Sequence, residues 1–360
     1  MNTLTSWKGE EMDNQIDVDP TAEVPNADEI DNGAANEVAV PNDTQLKTEE
    51  VFHRVFEEMG KAVVGQTEMV EMLSVAILAG GHVLLEGVPG TAKTLAVRAF
   101  SIICQVPFAR IQFTPDLMPS DILGTSVFDP KAGVFNIMKG PLFAGIVLAD
   151  EVNRTPPKTQ AALLEAMEER QVTIDGKPYA LPYPFMVCAT QNPVEFEGTY
   201  PLPEAQLDRF MIKVNVDYPS EDEECDILER YQNGFRSSDL ESCNLSPVLS
   251  AETLRDLQKE VDAVRVDEGV RKYIVEIIRA GRGNRHLTLG PSPRAAITML
   301  LTSKALAAIR GRNFVTPDDV KSLTRSVLGH RLILRPESEI EGYTAERVLE
   351  MTLQNVAVPR

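Results

Sequence analysis

The sequence predicts an α/β domain built on a parallel sheet with a phosphate-binding loop, followed by a small all-α domain. Three observations predict it. Five short apolar runs, 82–86, 108–113, 145–150, 184–190 and 211–216, are separated, in several cases, by stretches of helical spacing. The first run stops at a glycine-rich loop that opens directly into a helix. After Pro219 such runs cease and helical periodicity takes over. Strands alternating with helices give a parallel sheet covered on both faces.

Taken in order, residues 1–45 hold eleven acids and one base, Lys8, with few hydrophobics. Such a segment buries too little surface to offset its chain entropy and is expected to be disordered. Order is expected from Leu46, where Leu46, Val51, Phe52, Val55, Phe56 and Met59 follow helical spacing. Val63 to Gln66 then lead into a second helix ending near Leu78. A length of 360 residues suits two domains and a tail. The expected bounds are 1–45 for the tail, 46–218 for the α/β core, and 219–360 for a linker and the helical domain.

The loop after Val83–Leu85 reads Gly87, Val88, Pro89, Gly90, Thr91, Ala92, and Lys93 and Thr94 open the next helix. Backbone N–H groups and a helix N-terminus there surround a polyphosphate. Lys93 reaches the β- and γ-phosphates, and the Thr94 hydroxyl binds Mg²⁺. The expected ligand is ATP or GTP. One residue departs from the general pattern: Ala92 stands where glycine is usual.

Ile146 to Asp150 is a buried-type strand ending in two carboxylates, about sixty residues past the loop. Strand ends are where ligands sit in such sheets. Asp150 is placed to hold Mg²⁺ through water, and Glu151 to polarise the attacking water. The strand 184–190 runs out at Asn192, whose position suits a sensor of the γ-phosphate. Arg209, before the last strand, is the candidate for a cation supplied to a neighbouring subunit, with Arg154 in reserve. Arg294, at a helix start in the second domain, is the candidate for a second sensor.

In that domain 220–234, 251–265 and 268–281 read as helices. Ser292 caps another, with Pro293 in its first turn, Gly311 at its end, and Ile297, Leu300, Leu301, Ala305 and Ala308 as its expected buried face. Thr316 to Asp319 cap one more. Two hairpins are expected in the core, one over 125–138 and one over 171–181 with its turn at Asp175-Gly176. The 156–170 stretch between them reads as a helix burying Leu163, Leu164 and Met167.

A net charge of −19 argues against a general nucleic-acid binder and against coating of anionic membranes. No apolar run approaches the roughly 20 residues of a spanning helix, so no direct membrane insertion is expected. The first thirty residues lack the features of a secretory signal. Four scattered cysteines make neither a disulfide framework nor a zinc motif. A cytoplasmic location is expected.

Over 46–360 the sequence resembles the AAA+ ATPases, and within them the MoxR family. The resemblance rests on Gly87 to Thr94, on Arg110 to Gly124, on Ala149 to Met167 and on Ala189 to Phe210. Ala92 matches that family's own Ala-Lys-Thr loop. The resemblance implies a hexameric ATPase using ATP and Mg²⁺, with a helical lid after the AAA+ core. It places Val64 and Gly65 beside the adenine, Asn192 as sensor 1, Arg209 as arginine finger and Arg294 as sensor 2. It also implies chaperone-like action on protein clients, often with von Willebrand A-domain partners. The competing expectations are a nucleotide-gated scaffold with little turnover, a subunit similar to those of magnesium chelatase, and a DNA motor. The last needs basic pore hairpins, and 171–181 offers Lys177 and nearby Arg170 against Asp175.

Overall fold

The computed structural model describes residues 47–192, 199–237 and 239–359. The acidic tail expected over 1–45, and Leu46, lie outside the described residues. The α/β half begins with α1 (Lys47–Ala62), α2 (Thr67–Leu78), β1 (Val83–Glu86), α3 (Lys93–Ile103) and β2 (Phe108–Gln112). It continues through α4 (Pro119–Leu123), a hairpin of β3 (Gly124–Asp129) and β4 (Val134–Lys139), β5 (Ile146–Asp150) and α5 (Pro157–Glu169). A second hairpin of β6 (Gln171–Ile174) and β7 (Lys177–Ala180) follows, then β8 (Met186–Gln191), α6 (Glu204–Leu207) and β9 (Ile212–Asn215).

Five strands form one sheet in the order β2-β5-β8-β1-β9, every pairing parallel. The loop-bearing β1 thus lies between β8 and β9. Side chains alternate across the sheet. Val83, Leu85, Ile146, Leu148, Cys188 and Val214 join a core with α1, α2 and α3. Leu84, Val147, Ala149, Val187 and Ala189 join another with α5 and the β6–β7 hairpin. Burial on both faces is why these strands read as unbroken apolar runs. In the β6–β7 turn Asp175 and Gly176 are both left-handed, as a two-residue hairpin turn requires. Arg170 before it is exposed and donates to the Gly80 carbonyl at 2.7 Å.

The helical half comprises α7 (Glu221–Gln232), α8 (Ala251–Ala263), α9 (Glu268–Arg282), α10 (Pro293–Ile309), α11 (Pro317–Leu328), α12 (Pro336–Ile340) and α13 (Ala345–Asn355). It also contains a short antiparallel ladder of β10 (Leu287–Leu289) and β11 (Ile333–Leu334). Its helices start where the caps direct: Ser220 and Thr316 close capping boxes, and Ser250, Ser292 and Thr344 accept from the third residue on. The core of the α1–α2 face runs on into this half through Leu254, Leu257, Ile277, Leu306 and Leu323.

The expected buried face of α10 is corrected. Ile297 is 60% exposed, and Leu300 and Leu301 are only half-buried. Thr298, Met299, Thr302 and Ser303 are buried instead. The Thr302 hydroxyl donates to the Thr298 carbonyl at 2.8 Å, so this polar side chain is satisfied within its own helix and can turn inward. Ala305 and Ala308 are buried as expected.

Cys104 and Cys188 are buried free thiols, and burial pushes the Cys188 thiol up to about 12. Three histidines are also buried, His82, His286 and His330, and two of them have shifted titration. His82 donates from Nε2 to the Met167 carbonyl (3.1 Å) and accepts at Nδ1 from the Val187 N–H (3.0 Å), an arrangement only the neutral ring provides. Burial lowers its pKa to about 4. His330, with Nε2 on the Phe210 carbonyl, is likewise held well below 6.5 by burial and by neighbouring Arg331. Since both folded values lie below that of a free ring, the unfolded chain takes up protons first. Stability is whole above pH 6.5 and falls toward pH 4, by about 1.4 kcal/mol per pH unit per ring. Urea unfolding at pH 5 is expected to give a stability about 2–4 kcal/mol below that at pH 7.5. A flat profile would mean that the rings are not held neutral.

Candidate active site

The loop after β1 is shaped by three residues. A Cβ on Gly87 would lie 2.3 Å from the Val216 carbonyl, so the close pass of the two chains demands glycine. Gly90 has φ +88°. Ala92 caps α3 in the left-handed region, at φ 59°, which costs an alanine about 1–2 kcal/mol. The departure from glycine is therefore borne as local strain. The Lys93 ammonium curls into the loop, donating to the carbonyls of Gly87 (2.9 Å) and Val88 (2.6 Å) and to Thr91 Oγ1 (3.2 Å). Burial lowers its pKa, while Asp150 and Glu151 oppose the shift.

The two carboxylates leave the C-terminal end of β5. Asp150 Oδ1 accepts the Thr190 hydroxyl at 2.6 Å, and that hydroxyl oxygen accepts the Glu151 N–H at 2.8 Å. Asp150 Oδ2 accepts from Arg110, at 2.6 Å from one terminal nitrogen and 3.1 Å from Nε. Glu151 is itself left-handed, at φ 57°, strain of the kind that gathers at functional positions. Its Oε2 accepts from Gln112 Nε2 (2.8 Å) and from Arg154 (3.0 Å). Asn192, 8% exposed, follows β8 immediately.

These groups surround a cavity of about 610 Å³. Of the expected residues, Val64, Gly87, Pro89, Gly90, Thr91, Ala92, Lys93, Thr94, Asp150, Glu151 and Asn192 line it. Gly65 and Val88 adjoin its wall in the chain without forming it, and Arg154, Arg209 and Arg294 do not line it. The far wall is Ile227, Arg230 and Tyr231 of α7 with Phe235 beyond, and Tyr231 meets Phe235 edge to face at 5.4 Å. Arg230 ties α7 to α1 by donating to the Gly60 and Lys61 carbonyls at 3.0 and 3.1 Å. The sequence shows α7 as a helix but carries no signal that it roofs this cavity. Arg110 and Gln112 were also without a role, although their spacing of two puts them on one side of β2.

Thr94 and Asp150 both line the cavity and carry oxygen donors. Among the described residues no three His, Cys, Asp or Glu side chains gather as a protein-only cage. This donor set fits Mg²⁺ completed by phosphate and water.

Arg209 and Arg294 meet elsewhere. Each stands 3.2 Å from one oxygen of Glu168, near the end of α5. Arg209 leans on Glu168 rather than on adjacent Asp208, because Asp208 is taken by the lid. Arg331, 6% exposed, donates to Asp208 Oδ1 at 2.7 Å and to the Phe210 carbonyl at 2.8 Å. It also bonds the Val327 carbonyl at the end of α11.

A phosphate loop, a strand-end carboxylate pair and a helical lid define a P-loop ATPase of the AAA+ class. Residues 82–212 match the model of the ATPase family associated with various cellular activities, and residues 279–351 match an AAA lid domain. Over 306 residues the chain is 46% identical to the uncharacterized protein YeaC of Bacillus subtilis, covering 85% of this chain and 94% of that one. Over 318 residues it is 42% identical to the chaperone MoxR1 of Mycobacterium tuberculosis, covering 86% and 82%. The crystal structure of an inferred ATPase from Cytophaga hutchinsonii aligns with a TM-score of 0.80 and 42% identity, over 87% of this chain and 96% of that one. The chain belongs to the MoxR family of AAA+ ATPases.

Proposed function

We propose that this chain hydrolyses ATP within a homo-oligomeric ring, a hexamer, and spends the cycle on remodelling partner proteins in the cytoplasm. The observation that carries the reading is a division of charge. Lys93, Asp150 and Glu151 share one cavity, whereas Arg209 stands outside it, paired with Glu168, and is assigned to another subunit's site. In its own cavity Lys93 holds the β- and γ-phosphates. Mg²⁺, held by Thr94 and Asp150, would neutralise the phosphate oxygens. Glu151 accepts a proton as the water oxygen attacks the γ-phosphorus, Asn192 orients that water, and ADP leaves. Arg209 neutralises charge developing in the neighbour's site. Arg294, which shares Glu168 with Arg209, is kept as the candidate second sensor on the family resemblance. We assign 46–218 to the core, 219–360 to the linker and lid, and 1–45 to the tail.

A client-contacting role is supported by the β3–β4 hairpin. Val134, Phe135 and Met138 are 49–70% exposed there, and Phe128, half exposed, packs on Phe135 at 5.1 Å. Exposed apolar surface of this kind marks protein contact. The chaperone named among the relatives suits that role, and von Willebrand A-domain proteins are the partner class that the family resemblance implies. The buried free thiols of Cys104 and Cys188 suit a reducing compartment. Among the described residues no helix is long and apolar enough to cross a membrane.

Light scattering coupled to gel filtration tests the ring. With a slowly hydrolysed ATP analogue at micromolar protein, the mass is expected to rise to that of a hexamer. A single-subunit mass with and without the analogue overturns the proposal.

A further inference from the structure

We propose that Arg110 is a second cation of the phosphate site, one that shares Asp150 with Mg²⁺ and lets nucleotide bind without the metal. The inference rests on the reading of the cavity as the nucleotide site. Arg110 lies on β2, the edge strand paired with β5, and its side chain lines the cavity. Two of its donors converge on Asp150 Oδ2, and a terminal nitrogen also donates to Gln112 Oε1 at 2.8 Å. That last contact fixes the Gln112 amide with its nitrogen toward Glu151. Arg110 thus connects to Asp150 directly and to Glu151 through the Gln112 amide.

Charge decides what the guanidinium does. At the phosphate end Lys93 faces two carboxylates, Asp150 and Glu151. Arg154 pairs with Glu151 at 3.0 Å and Arg98 also lines the cavity, so Arg110 adds to a positive charge that offsets a metal-free triphosphate. Arg110 is half exposed, and a guanidinium matches phosphate oxygens as well as it matches a carboxylate. With Oδ1 engaged by Thr190 and Oδ2 by two Arg110 donors, a water of Mg²⁺ would compete with the guanidinium for Asp150. Losing Arg110 should matter when the metal is absent and matter little when it is present.

Affinity for a fluorescent ATP analogue, measured in Mg²⁺ and in EDTA, tests this. Arg110→Ala should weaken binding in EDTA by about tenfold, the size of a lost charge-assisted bond. In Mg²⁺ the affinity should stay within about twofold of wild type. Arg110→Lys should recover most of the EDTA affinity, and Arg110→Gln, which keeps a donor but no charge, should not. Equal losses in both media, or no loss in EDTA, overturn the proposal. Lys93→Ala separates this from failure of the site itself. If Lys93→Ala binds as tightly as wild type in both media, the cavity is not the phosphate site, whatever Arg110 does.

Discussion

Glu151→Gln will bind ATP about as tightly as the wild type and lose turnover by roughly 10²–10⁴-fold, the usual contribution of a positioned general base. The substitution preserves size, and the amide oxygen still accepts from Gln112, so the site keeps its shape. What disappears is the carboxylate that takes the water's proton. Lys93→Ala is the complement: it removes the loop's ammonium and should abolish binding itself. Nucleotide affinity and steady-state phosphate release distinguish the two kinds of loss. Wild-type hydrolysis by Glu151→Gln would remove Glu151 from its role. A wild-type protein that binds but scarcely turns over would favour the nucleotide-gated scaffold instead.

The second large effect concerns Arg209 and is read by mixing. Arg209→Ala subunits have intact phosphate loops, and Lys93→Ala subunits have intact arginines. Each alone should be nearly inactive, since an arginine supplied in trans is worth roughly 10³–10⁵ in rate in GTPase systems. A mixed ring pairs intact loops with intact arginines at some interfaces, so part of the activity should return. No return, in hetero-oligomers shown to form, would reduce Arg209 to a structural partner of Glu168. Arg154 would then be the next candidate, although it is engaged with Glu151 of its own subunit at 3.0 Å.

The sheet was legible because burial on both faces writes each strand as an apolar run, and all five expected runs are strands. Helix starts at Ser292 and Thr316 were legible because capping is local chemistry. The loop residues and the carboxylate pair were legible for a related reason: strand, turn and helix order them within a few positions. Contacts between distant segments were not. Arg110 meets Asp150 across two strands, forty residues on. The α7 roof, and the sharing of Glu168 by Arg209 and Arg294, depend on how the lid packs, which no local pattern encodes. Ile297 misled because a long helix packed on several sides buries hydroxyls as readily as isoleucine.

Arg331 reaches the segment before β9 largely through main-chain oxygens, those of Phe210 and Met211 with Asp208 beside them. Carbonyls are present whatever the side chains, so this docking is indifferent to residue identity at 210 and 211 as long as the chain follows the same path. Its spacing is another matter. One inserted or deleted residue between 208 and 211 would displace every acceptor and leave a buried guanidinium unsatisfied, at a cost of several kcal/mol. The length of this stretch should thus stay constant among descendants of the sequence, quite apart from the side-chain demands of Asp208, Arg209 and the buried Phe210.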